Sequence, residues 1–144
     1  MFRRSMNGFR KLTAWQEAHR LTVMIYQITA AFPKHELYGI TNQLRRASYS
    51  VETQLAEGSR MPTRAHQLAF YHRAYGSCAE IDNFLELSID LQYLSEDDYK
   101  KLLAQLNRTS FIVKRLVESL TQPTKLTKPT EPKGFKVPNY TNFS

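Results

Sequence analysis

Three short breaks divide the first 120 residues into four long segments, each repeating apolar side chains at helical spacing with no strand alternation. Phe32-Pro33 closes the first, Gly58 to Pro62 the second, and Tyr93 to Ser95 the third. Thr13 is a candidate cap for a first helix running to about Ala31, which buries Trp15, Ala18, Leu21, Thr22, Ile25 and Thr29. The second helix runs from about Leu37 to Glu57, where Gly58 suits the left-handed residue that ends many helices. Pro62-Thr63 opens the third, which reaches about Tyr93. Ser95-Glu96-Asp97-Asp98 caps the fourth, with three acids at its positive end, and this helix reaches about Leu120. Short connections between consecutive long helices favour antiparallel neighbours, so the predicted fold is all-α, an up-down-up-down four-helix bundle over residues 13–120. A basic arm, 1–12, precedes it and a Pro/Lys-rich tail, 121–144, follows.

The second segment carries the sharpest pattern. Advancing about 100° per residue, Leu44, Ala47, Ser48, Val51 and Leu55 gather on one side, and Gln43, Arg46, Tyr49, Ser50 and Thr53 on the other. The first face packs. The second joins adjacent arginines, Arg45 and Arg46, to Tyr49, a phosphate-binding fork beside a stacking surface of the kind that recognition of looped RNA uses. An arginine here can instead pair with Glu52 or with an acid of an adjoining subunit.

Trp15-Gln16, Phe32-Pro33, Tyr38-Gly39, Gln43-Leu44-Arg45-Arg46-Ala47, Ala56-Glu57-Gly58 and Tyr75-Gly76-Ser77 with Glu80 occur in an order and spacing that covers residues 9 to 120. In these motifs the chain resembles the small four-helix-bundle proteins encoded by intervening sequences of bacterial 23S ribosomal RNA genes. That family's usual Ser-Ile-Pro-X-Asn-Ile-Ala-Glu-Gly stands here as Ser50-Val51-Glu52-Thr53-Gln54-Leu55-Ala56-Glu57-Gly58, which makes the chain a divergent member. The same bundle, assembled as a five-fold ring, resembles the accessory variability determinant proteins that partner reverse transcriptases in diversity-generating retroelements. The resemblance implies a homopentamer and a non-catalytic role.

The chain's 144 residues fit one domain. The single cysteine, Cys78, excludes an internal disulfide framework and falls in an apolar helical pattern, which favours a reduced, buried thiol and a cytoplasmic protein. No apolar run approaches the roughly 18 to 20 residues that span a bilayer, and Trp15-Gln16-Glu17 follows the basic start in place of an apolar signal core. The net charge of +7 sits at the ends: residues 1–12 hold +4 from Arg3, Arg4, Arg10 and Lys11, and residues 121–144 hold +3. The body between them is neutral overall. Two basic ends favour an anionic partner such as nucleic acid, and they also serve solubility. After Thr121, prolines alternate with Lys and Thr, and Phe135, Tyr140 and Phe143 lack helical period. Such a tail is either a disordered end or an extended arm that docks on a neighbour.

On the third helix, Tyr71, Ala74, Cys78, Ile81, Leu85 and Ile89 serve the core, whereas Phe84, Leu87 and Leu91 lie well round from it. A second apolar side on a four-helix bundle favours contact with another subunit. On the fourth, Lys101, Arg108 and Arg115 recur every seven residues and fall within about 40° of one another, opposite Leu102, Leu106, Val113 and Leu120. This stripe suits either a row of phosphates or plain solvation. His19, His35, His66 and His72 show no two-ligand spacing on one helical face, there is no cysteine pair, and the acids Glu80, Asp82, Glu86 and Asp90 lack the Glu-X-X-His motif of bundle metal sites. No catalytic residue, metal or cofactor is therefore expected. Asp82 is expected to hydrogen-bond a buried tyrosine.

The expected function is a ring that holds RNA, or an RNA-DNA intermediate, on Arg3, Arg4, Arg10, Lys11, Arg45, Arg46, Tyr49, Lys101, Arg108 and Arg115. Its subunits meet through Phe84, Leu87 and Leu91, and a reverse transcriptase is its implied partner. The alternative is a structural homo-oligomer of the ribosomal intervening-sequence type without an enzyme partner.

Overall fold

The computed structural model describes residues 4–121, so Arg3 and the segment after Thr121 lie outside it. Four helices carry the fold: α1 (Thr13–Thr29), α2 (Ile40–Ser59), α3 (Arg64–Asp90) and α4 (Glu96–Thr121). Each packs against its sequence neighbours, α1 also packs on α4, and the diagonal helices have no Cα atoms within 8 Å of each other. Contacts between helices fix the directions. His19 and Arg45 reach Glu52 and Thr29 across α1 and α2, Ser50 meets Ser77 across α2 and α3, and Tyr99 meets Glu86 across α3 and α4. Residue numbers rise on one helix as they fall on the next, which is the expected antiparallel order. No strand occurs among the described residues.

The core is a column of Leu21, Ile25, Leu44, Val51, Leu55, Ile81, Leu85, Leu102 and Val113, all fully buried. Thr22, Thr29, Ser88 and Thr109 share it because each hydroxyl donates to the carbonyl four residues before, and so needs no partner from another helix. Cys78 is buried as expected, and desolvation pushes its thiol up to about 12. Trp15 and Ile89, both expected inside, are only partly buried.

Helix ends depart from expectation in instructive ways. Thr13 is the first helical residue and not a cap; Leu12 holds the cap position with no side-chain hydrogen bond. Ahead of α2, a 3-10 turn over Lys34–Glu36 brings the Glu36 carboxylate to the Ile40 amide at 3.0 Å, and a Cβ at Gly39 would stand 2.7 Å from that carboxylate. Gly39 is thus the space the cap needs. Gly58 ends nothing: α2 continues to Ser59, and Gly58 is buried where a Cβ would meet Tyr71 at 2.7 Å and Phe70 at 2.8 Å. Its missing side chain lets α2 and α3 close on each other. The residue that does turn left-handed is Gln92 (φ 62°), which ends α3 by letting Tyr93 N–H reach the Ser88 carbonyl at 2.9 Å. Ser95 caps α4 through the amide of Asp98, as expected, and Thr63, expected to open α3, caps it through the amide of His66.

Candidate nucleic-acid interface

Charge is segregated in the bundle although the body is neutral overall. Beyond Arg73 the ionised residues of α3 are Glu80, Asp82, Glu86 and Asp90, whereas α4 between Asp98 and Glu118 carries Lys100, Lys101, Arg108, Lys114 and Arg115 with no acid. All five of those cations are exposed. Glu96 engages Lys100 at 3.0 Å, and Arg108 Nε lies 3.3 Å from Glu17 Oε2 on α1. Lys101, Lys114 and Arg115 have no carboxylate within 4.0 Å among the described residues. Phe111 stands 60% exposed among them, and the Arg115 guanidinium lies 5.8 Å from its ring centroid.

Glu17 is the residue that sequence reasoning missed. Only 5% exposed, its carboxylate receives Arg20 at 3.1 Å, Gln105 Nε2 at 2.7 Å and Arg108 at 3.3 Å, while Gln105 also donates to the Glu17 carbonyl. A buried carboxylate needs such donors to offset its lost hydration. A signal existed: Glu17 lies between Ala14, Ala18 and Leu21 on the packing side of α1. Arg20 is three residues away on the same helix, but Gln105 and Arg108 are 88 and 91 residues away, which spacing along one helix does not reveal.

The two arginines of α2 have different fates. Arg45 Nε donates to Thr29 Oγ1 at 3.0 Å, and its guanidinium lies 4.7 Å from the Tyr26 ring centroid, so it ties α2 to α1. Arg46 is exposed, one helical turn before Tyr49, which is 42% exposed. Glu52 does not pair with Arg46; it binds His19 Nδ1 at 2.7 Å, and that imidazole stacks on Trp15. Because α2 and α4 are diagonal, Arg46 and Tyr49 face away from the α4 cations, and the structure does not join the two groups into one site on a single chain.

Arg4 and Lys11 are exposed, whereas Arg10 is half-buried. Its guanidinium lies over Phe9, its carbonyl accepts from Gln16, and Phe9 packs edge-on against Trp15. The arm is therefore fastened to α1 from Phe9 onward. With α1 it forms an open groove of about 990 Å³ lined by Met6, Phe9, Trp15, Val23 and Met24. Of the expected subunit contacts, Leu87 and Leu91 are 42% and 46% exposed, but Phe84 is half-buried against its own core. The tyrosine partner of the α3 acids is also corrected: Tyr99 donates to Glu86, not Asp82, and this bond pushes the phenol up to about 12.

The sequence profile of the 23S rRNA-intervening sequence proteins matches residues 10–115, from the end of the arm to the last cation of α4. The chain belongs to this family. Among solved structures, a Bacteroides thetaiotaomicron protein of unknown function from the S23 ribosomal protein family superposes with a TM-score of 0.67 at 16% identity, covering 74% of this chain and 99% of its own. At that identity the likeness is one of fold. No curated protein matches.

For this intervening-sequence family member, the described residues include no cluster of three or more His, Cys, Asp or Glu placed to hold a metal ion. Nor do they include a helix long and apolar enough to cross a membrane. What the surface of α4 offers is fixed positive charge, three cations with no carboxylate partner among the described residues, and one exposed aromatic ring.

Proposed function

We propose that this chain is a non-catalytic, oligomeric nucleic-acid-binding accessory protein whose ligand is RNA or an RNA-DNA intermediate. The observation that carries this reading is the outward face of α4, where Lys101, Lys114 and Arg115 stand exposed with no carboxylate partner among the described residues and no acid interrupts the stretch. A polyanion laid on that face would release its condensed counterions, an entropic gain that grows with each phosphate contacted. Exposed Leu87 and Leu91 support a homo-oligomer, in which repeated faces multiply a weak site. From the resemblance to accessory variability determinant proteins, the assembly is a pentameric ring and the protein partner a reverse transcriptase.

Light scattering of the full chain with and without a structured RNA, at low and moderate salt, reads assembly and binding together. Affinity is expected to fall steeply with salt, and Lys101→Ala with Arg115→Ala should lower the log-log slope by about 0.7 to 0.9 per lost phosphate contact without changing the subunit number. Binding that is absent, or indifferent to salt, would overturn the proposal and leave the structural homo-oligomer.

A further inference from the structure

We infer that the outward face of α4 takes single-stranded RNA, with Phe111 as the platform on which a base stacks; this rests on the nucleic-acid reading above. Phe111 is 60% exposed, and among the described residues α4 has no other large apolar side chain that is mostly exposed. Its helical neighbours at three and four residues are Asn107, Arg108, Lys114 and Arg115, whose Cβ atoms lie about 5–6 Å away. Such a ring is no part of an apolar patch, since polar and cationic groups surround it. With 60% of its surface exposed and lower helix propensity than the lysines beside it, it contributes little to the bundle.

The surroundings select the ligand by charge and by shape. Arg108 is drawn toward α1 by Glu17, while Arg115 stays beside the ring at 5.8 Å with no carboxylate of its own. A nucleotide can then lay its base on Phe111 and its phosphate on Arg115 or Lys114. From Lys101 to Arg115 the face runs about 21 Å along the helix axis, room for more than one phosphate. Duplex RNA does not fit this arrangement. Its base faces are stacked inside, and its deep, narrow major groove excludes side chains. A ring on a convex helix meets base faces only where they are unstacked, and stacking there tolerates any sequence.

The test is fluorescence anisotropy of the full chain with a labelled oligouridine and with an RNA duplex of equal length, at one salt concentration and then along a salt series. Phe111→Ala should weaken the single strand at least about fivefold and leave the duplex within about twofold. Phe111→Tyr should restore the loss, and the salt slope should not change because no charge is removed. Equal weakening of both ligands, or none, would overturn the stacking assignment while steep salt dependence kept the nucleic-acid reading. A change in subunit number on Phe111→Ala would also overturn it, making the ring a subunit contact. Failure of the unsubstituted chain to bind either RNA would remove the nucleic-acid reading itself.

Discussion

Glu17 of α1 and Arg108 of α4 stand 3.3 Å apart, and this pair places the central cation of the α4 stripe in the service of the bundle. Their burial is unequal, since the carboxylate is enclosed and the guanidinium mostly exposed. Glu17→Ala should therefore cost about 1–3 kcal/mol in urea unfolding, chiefly through the Gln105 amide hydrogen that loses its carboxylate acceptor while the other keeps the Glu17 carbonyl. Because Arg108 is released to solvent, RNA affinity should hold or rise. A fall in affinity with the fold intact would show that Arg108 is better placed when held.

Arg45 and Arg46 should separate in the same way. Arg45→Ala loses the Thr29 hydrogen bond and the contact with Tyr26, and should cost about 1 kcal/mol of stability. Arg46→Ala, with no internal partner removed, should leave the melting temperature within a degree or two while weakening RNA binding. Parallel thermal melts and salt-series anisotropy check both. If Arg46→Ala lowers stability as much as Arg45→Ala, Arg46 has a structural partner.

Most of the fold was legible because helical period is a local property. The core stripes of α1, α2 and α4 and the caps at Thr63 and Ser95 needed nothing beyond neighbours within one turn. Apart from the cap expected at Thr13, what failed depended on a second helix. Gly58 reads as a terminator in isolation, and only Tyr71 and Phe70 reveal it as a close-packing residue. Phe84 lies off the core axis of α3, yet its long side chain reaches back to the core. Arg108 shares a period with Lys101 and Arg115, but Glu17 on another helix decides its role. Lys101 and Arg115 are exposed, as their helical positions implied, whereas Phe111 and Lys114 stood out only once the exposure of α4 and the pairing of Arg108 were known.

The glycines give a paired prediction. Gly58→Ala places a methyl 2.7 Å from Tyr71 and should destabilise by about 1–3 kcal/mol through overpacking. Gly76→Ala, with nothing within 4 Å, should stabilise by about 0.5–1 kcal/mol through helix propensity. Denaturant midpoints of the two variants should move in opposite directions. A third change, Gln92→Gly, should add up to about 1 kcal/mol, because glycine adopts the left-handed turn without a Cβ clash.

Alkaline pH should expose the Tyr99 bond to Glu86. The folded phenol titrates near 12 against about 10 when unfolded, so the folded state holds its proton more tightly. This contribution is complete below pH 10 and is lost as pH rises through about 12. Tyr99→Phe should be less stable than the unsubstituted chain at neutral pH, with the gap closing between pH 10 and 12. A gap that stays constant over that window would mean the phenol titrates alike in both states.

Helices α2 and α4 lie across the bundle from one another. A strand lying along Lys101 and Arg115 leaves Arg46 and Tyr49 of the same chain pointing to the far side, open to a second strand. If RNA binds as proposed, each copy offers it two opposite sides of the bundle, and one chain can hold two strands at once.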